Sequence, residues 1–461
     1  MNSLPSFTGL LDCLLRAKAL VSVDRPQVLA SFSTKSPQVE PLSLFSANRE
    51  QVQPTCLWHV KARGHYRLGL GLAHEFNAGP DDDWQILENR WHDMASAAVV
   101  QGEHRPCLFG GFAFDRRQHR TRLWREFPDS ALTLPRFELH ESDDRTRLVI
   151  NVLIDQNSIC AYLAEELTAE WAAILARPVP GNEISHDRFV RLSMAHLWKH
   201  DVSQAVGHIK RGGLAKVVLA RSQNVPASVP LQAVMQHLIG RQPHAYLFAF
   251  ARGSSCFLGA SPECLLTAQG RCLQTMALAG TAPRGKDATE DRYLGDQLLA
   301  SRKDNREHAM VVDSIRECLA RHCVELEVAA RPRLHKLPHI QHLLTPIHGT
   351  LAPTTSLLGV AQSLHPTPAV GGLPRLEALD YIRAHEHLDR GWYAGPVGWL
   401  DDQGNGEFAV ALRSALLDGH RATLFAGCGL VSGSDPESEY RESDLKMQTM
   451  REALQGEATG C

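Results

Sequence analysis

Short apolar runs separated by polar turns fill the first third of the chain. They fall at 55–61, 66–72, 107–114, 131–139 and 148–154, and their length and spacing predict mostly antiparallel strands. Helical spacing interrupts the series at 84–100 and returns at 159–175. Residues 1–40 read as a helix and a loop ahead of the first strand. Arg177-Pro-Val-Pro-Gly-Asn-Glu183 predicts a linker, because two prolines and a glycine stop a helix. It divides the chain into a sheet-rich half, 1–180, and a second half, 188–455, expected to form one continuous domain.

Beyond the linker a helix runs to Arg211 and ends at Gly212-Gly213. Strands are expected at 215–221, 245–251, 256–260, 263–267, 272–279, 391–400, 407–417 and 422–428. Helices are expected at 231–239, 288–300, 306–322, 356–364 and 375–385. A last helix starts at Pro436, a residue favoured in a first turn. Strands arrive in hairpins rather than in strict βαβ alternation. That pattern predicts an α+β fold of antiparallel sheets layered with helices, and argues against a Rossmann or barrel enzyme.

Composition narrows the choice of partners. The 461 residues are 44% hydrophobic and 21% charged, with a formal net charge of −3. That is enough apolar surface for a folded chain, and no field of one sign calls for a nucleic-acid or anionic-membrane partner. No apolar run approaches the roughly 18 residues of a membrane span. The N-terminus lacks a basic stretch before an apolar core, so no secretory signal is expected. The 11 Cys include no Cys-x-x-Cys pair, which fits a reducing cytoplasm. His385-Glu386-His387 lacks zincin spacing, and His339 and His342 lack cysteine partners, so a histidine metal site is not expected.

Charged residues stand where apolar ones are expected. In the last helix Glu439, Glu442 and Lys446 fall within an arc of about 60° at helical spacing. The arc adjoins the inward stripe of Tyr440, Met447, Met450 and Leu454. Two carboxylates beside a buried face need neutralising, by a divalent cation or by Lys446. Glu307 fits a capping box with Asp304 as the cap, the role its spacing favours, with a metal ligand as the other reading. Lys216 interrupts an apolar strand, where it either snorkels from a sheet edge or serves as a buried amine base. Arg413, in Phe408-Ala-Val-Ala-Leu-Arg413, calls for an anion, and a bidentate carboxylate suits its fork. Glu263, after Ser261-Pro262, is either a turn residue or an acid facing a pocket. The small turns at Gly280, Gly371-Gly372, Gly427 and Gly429 permit close backbone approach to a compact ligand.

Taken together these segments resemble the chorismate-binding enzyme family, and within it the isochorismate synthases. The matching strings are Lys216-Val-Val-Leu-Ala-Arg221, Gly259-Ala-Ser-Pro-Glu263, Ala277-Leu-Ala-Gly-Thr281, Lys303-Asp-Asn-Arg-Glu-His308, His365-Pro-Thr-Pro-Ala-Val-Gly-Gly372, Phe408–Arg413 and Gly427-Cys-Gly-Leu-Val431, completed by Tyr440-Arg-Glu442 and Lys446. They stand in family order across more than half the chain.

The resemblance implies the anthranilate synthase component I-like fold, two large antiparallel sheets flanked by helices around a deep cleft. It implies conversion of chorismate to isochorismate, with Lys216 as base and Glu263 as acid. It implies Mg²⁺ held by Glu307 and Glu442, with Glu439 close by. Arg413 would bind a substrate carboxylate, with Gly280, Thr281, His365, Gly427, Gly429 and Lys446 around the ligand. No nucleic acid, membrane or obligatory protein partner is implied. Ammonia-using relatives carry Pro-Ile-Ala-Gly-Thr or Pro-Ile-Lys-Gly-Thr where this chain has Ala277-Leu-Ala-Gly-Thr281, which favours water as nucleophile. Salicylate synthases, which go on to eliminate pyruvate, and a non-catalytic chorismate-binding protein are the other readings.

Overall fold

The computed structural model describes residues 7–142, 145–180, 195–227 and 229–455. Two large sheets form its framework. The first has twelve strands, in the order Gly372–Leu373, Lys216–Pro226, Arg421–Leu430, Ser414–Asp418, Ser255–Ser261, Tyr246–Arg252, Thr55–Val60, His65–Leu70, Phe137–Ser142, Arg145–Asp155, Gln27–Lys35 and Val99–Gln101. All its pairings are antiparallel except the last, which is parallel. The second has ten strands, built around Ile340–Leu351, Cys272–Pro283, Cys264–Gln269, Gly406–Val410, Pro396–Asp401 and Cys107–Phe112. The expected α+β class is what the chain adopts. Both halves of the chain contribute strands to both sheets. The expected boundary at 180–188 falls, from 181 on, outside the described residues.

Burial follows the alternation of strand side chains. In Tyr246–Arg252, Tyr246, Phe248 and Phe250 enter the core between the sheets, and Leu247, Ala249 and Ala251 enter a second core under the helices. A strand with cores on both faces reads as a continuous apolar run. Aromatic rings from outside the strands pack on the twelve-stranded sheet: Trp124 meets Phe257 at 5.1 Å and Trp392 meets Phe250 at 5.6 Å between centroids.

The structure corrects several expected elements. The run 131–139 is two strands, Ser130–Leu134 and Phe137–Ser142, in different sheets. The run 407–417 is likewise Gly406–Val410 and Ser414–Asp418, and the chain passes between the sheets at Ala411–Arg413. Arg413 makes that turn with φ 49°, in the left-handed region. Only Pro396–Asp401 of 391–400 is strand, and Gln27–Lys35 is strand where a loop was expected. Cys323–Val328, Arg333–Lys336 and Ile340–Leu351 are further strands. The first, Cys-Val-Glu-Leu-Glu-Val, does alternate apolar and polar residues, and the second is only four residues long.

Candidate active site

Two chain crossings between the sheets carry acid and cation to one place. At Ser261-Pro262-Glu263 the chain leaves the twelve-stranded sheet for the ten-stranded one, and at Ala411–Arg413 it returns. The crossings are bonded to each other: Ala260 N–H donates to Arg413 C=O at 3.2 Å, and Val410 N–H to Glu263 C=O at 3.1 Å. Between them and the last helix, Pro436–Gln455, lies a cavity of about 250 Å³. Lys216, Glu263, Gly280, Thr281, Glu307, Arg413, Gly427, Gly429, Glu439, Glu442 and Lys446 all line it.

Lys216 opens the strand Lys216–Pro226 and is 1% exposed. It does not snorkel. Its side chain shares a face with Val218, which also lines the cavity, and its Nζ lies 2.7 Å from Glu307 Oε1. Gly429 makes room for that pair, since a Cβ there would stand 2.7 Å from Lys216 Cε and 3.1 Å from Glu307 Oε1.

Glu307 does not belong to a capping box. The helix Arg302–Leu319 starts earlier, with Ser301 as its cap, and Ser301 Oγ accepts from Asp304 N–H at 3.2 Å. Glu307 therefore stands a turn inside the helix, free to reach the cavity. Burial pushes its carboxyl up, but the ammonium groups of Lys216, Lys446 and Lys303 outweigh burial and hold it below the usual range.

The last helix brings three of the charged groups. Lys446 Nζ lies 2.7 Å from Glu442 Oε1 and donates to Gly427 C=O at 2.9 Å. Burial works against the ammonium charge, and Glu442 outweighs it, so Lys446 is shifted upward. Glu439 is 7% exposed, and burial together with the charge of Glu442 pushes its carboxyl up to about 7. An oxygen of each glutamate lies within 4.8 Å of the other and of Cys428 Sγ. Burial drives that thiol well up, so it is a protonated neighbour. The sequence arc at 439, 442 and 446 thus faces the cavity.

Glu263 is 4% exposed. Burial pushes its carboxyl up to about 7, against the pull of Lys216, Arg413 and Lys446. The Gly280-Thr281 step is a β-bulge in Cys272–Pro283, where the register against Ile340–Leu351 shifts and Gly280 takes φ +78°.

His365 is a correction. It does not line the cavity. Its Nε2–H donates to Phe114 C=O at 2.9 Å, and its ring lies between Trp84 and Phe114. It is a buried structural histidine, held neutral because burial pushes it down to about 3. Conversely, His342, Tyr393 and Lys303 line the cavity without having been expected there. His342 Nδ1 lies 3.1 Å from Gly280 C=O and 3.2 Å from Thr281 Oγ1, and its Nε2 is 3.5 Å from Arg413 Nη2. With Nδ1–H donating, Nε2 accepts from the guanidinium. The strand around His342 gave no chemical signal in the sequence; Lys303 lies in a string already singled out, and Tyr393 only in the apolar run 391–400.

The cavity is thus lined by charges of both signs, Lys216, Lys303, Lys446 and Arg413 against Glu263, Glu307, Glu439 and Glu442, with glycine backbone at 280, 427 and 429. Residues 15–455 match the family described as "Chorismate binding enzyme", and the chain belongs to it. Among its relatives is the "Salicylate biosynthesis isochorismate synthase" of Pseudomonas aeruginosa, 42% identical, covering 94% of this chain and 91% of the relative. The "Isochorismate synthase MenF" of Bacillus subtilis is 34% identical over 93% of this chain and 94% of its own. The solved structure of MenF, the menaquinone-specific isochorismate synthase from Escherichia coli, superposes with a TM-score of 0.77 at 29% identity, covering 97% of this chain and 99% of that one.

Proposed function

We propose that the protein is an isochorismate synthase, which adds water at C2 of chorismate and releases the C4 hydroxyl. One observation carries the reading beyond family membership. Lys216, on the twelve-stranded sheet, and Glu263, a buried protonatable carboxyl at the crossing between the sheets, line one cavity.

Water needs a proton acceptor and a departing hydroxide needs a proton donor within the same turnover. In this reading Lys216 first gives up the proton it holds in its pair with Glu307 as that pair opens, and then, as the neutral amine, takes the proton from water. Glu263, with its carboxyl pushed up to about 7, still carries a proton near neutrality and gives it to the oxygen leaving C4. Each such assistance typically contributes ~10²–10⁴-fold. Arg413 offers two parallel N–H groups to a substrate carboxylate, and Gly280, Thr281, Gly427 and Gly429 let the backbone approach the ring closely.

Glu307, Glu439 and Glu442 fit a hard divalent cation. All three line the cavity, and Glu439 is shifted upward by burial first and by the charge of Glu442 second, both of which a cation would offset. Mg²⁺ would be held by Glu307 and Glu442 with Glu439 beside them, and when bound it would draw off charge developing on the ring carboxylate. The reading includes a cytoplasmic setting, in keeping with 11 cysteines and no Cys-x-x-Cys pair. Among the described residues no helix is long and apolar enough to cross a membrane.

Chromatography of a reaction of purified protein, chorismate and Mg²⁺ tests the proposal. Isochorismate is the expected product. Salicylate with pyruvate would indicate the bifunctional enzyme, and absence of turnover would overturn the enzymatic reading.

A further inference from the structure

The strand that carries Lys216 has an incomplete outer edge. Its inner edge is bonded to Arg421–Leu430 along its whole length, from Val217 to Pro226. Among the described residues, on the outer side only Lys216 and Val217 meet a strand, the two-residue Gly372–Leu373. Strand edges leave N–H and C=O groups that need partners when buried. Here side chains supply most of them. Val218 N–H donates to Gly371 C=O at 2.9 Å, but Val218 C=O accepts from Arg390 Nη2 at 2.8 Å. Ala220 N–H donates to Glu386 Oε2 at 2.7 Å, and Ala220 C=O accepts from the Trp198 indole at 3.3 Å.

Glu386 and Arg390 are locked to each other. Arg390 Nε donates to Glu386 Oε1 and Nη2 to Oε2, each at 2.6 Å, and the two side chains are 2% and 1% exposed. Arg390 Nη1 also donates to Val370 C=O at 3.0 Å, next to the Gly371-Gly372 turn that pairs with the start of the Lys216 strand. The Phe114 ring covers the guanidinium at 4.1 Å. A buried ion pair is weak evidence for stability, because apolar residues of similar volume often do as well. An apolar pair would fill this space, but it could not bond Val218 C=O, Ala220 N–H and Val370 C=O together.

We propose that Glu386 and Arg390 are positioning residues for Lys216: the pair stands in for a missing neighbour strand and fixes where the base projects into the cavity. The inference rests on the isochorismate synthase reading. Arg390→Lys keeps a charge opposite Glu386 but loses the fork that joins strand, turn and carboxylate. Steady-state kinetics with chorismate, on protein shown to be folded by thermal melting, are the test. A displacement of the base near 1 Å predicts that kcat falls about 10²-fold. KM should stay within about twofold, because Arg390 borders the cavity but its guanidinium is taken up by Glu386, Val218 C=O and Val370 C=O, so the loss falls on the transition state. Unchanged kcat in folded Arg390→Lys overturns the proposal, and so does a rise in KM at constant kcat, which would put Arg390 on the substrate. If that variant fails to fold, the double variant Glu386→Gln/Arg390→Gln, which strands no buried charge, is read the same way. Failure of both to fold would make the pair purely structural and also overturns the proposal. A wild-type protein that does not turn over chorismate would instead sink the underlying reading.

Discussion

Replacing Gly429 by alanine should disable the enzyme while leaving it folded. The backbone there lies outside the left-handed region, so alanine meets no conformational strain. The new Cβ would lie 2.7 Å from Lys216 Cε. Carbon atoms pack best at about 3.5–4.0 Å, so the end of the lysine must retreat by about 1 Å. That movement is cheap in stability, because the displaced atom is the far end of a flexible side chain. It is expensive in rate: a 1 Å misplacement of a reacting group costs about 10²-fold. The assay is kcat for isochorismate formation beside a thermal melt. Gly433→Ala is the control, since a Cβ there meets nothing within 4 Å. The expected result is a melting temperature close to wild type and a kcat reduced about 10²-fold for Gly429→Ala, with Gly433→Ala normal. A fully active Gly429→Ala would refute the argument that Lys216 works from its observed position.

Glu263→Gln should lower kcat by ~10²-fold or more, since the leaving oxygen loses its proton donor. The same carboxyl makes a stability prediction. With its ordinary value of 4.5 raised to about 7 in the fold, the folded state holds a proton that the unfolded state has released. Stability from this group is full at low pH, is lost as pH rises from about 4.5 to about 7, and is level above. Chemical denaturation across that range should therefore show Glu263→Gln gaining on wild type as pH rises; a pH-independent difference would contradict the raised value. Activity should disappear in excess chelator and return with Mg²⁺, and Glu442→Gln should not recover; full turnover in chelator would remove the metal from the account. His365→Ala should melt several degrees lower, through loss of a buried ring and hydrogen bond, yet keep near-normal kcat and KM per folded molecule. A large KM change there would return His365 to the ligand site.

The charged residues of the site were legible because they break apolar patterns. Lys216 between Ala215 and Val217, Arg413 after Ala411-Leu412, and Glu439, Glu442 and Lys446 beside a buried helical stripe each posed a problem that only a partner solves. What the pattern hid was where the chain changes sheets. Residues 407–417 read as one strand because the apolar run continues across the turn, and only the left-handed conformation of Arg413 reveals the break. That same turn carries the guanidinium to the cavity. The Lys216–Glu307 pair joins positions 91 apart, a separation that local spacing does not report. A local rule misplaced one residue and the resemblance another. Asp304 looked like a helix cap, but Ser301 takes that role one turn earlier. His365 stands in a family-like string, but it serves packing between Trp84 and Phe114. His342 was passed over as a metal candidate without partners; its partners are a backbone carbonyl and an arginine across the fold.

The central claim is that solvent water, activated beside Lys216, becomes the C2 hydroxyl of the product while the C4 oxygen leaves. Running the reaction in heavy-oxygen water and locating the label by mass spectrometry tests it most directly. The account predicts isochorismate labelled at C2, formed by the wild type and at least ~10²-fold more slowly by Lys216→Gln. Unlabelled isochorismate, or normal turnover by Lys216→Gln, would contradict it.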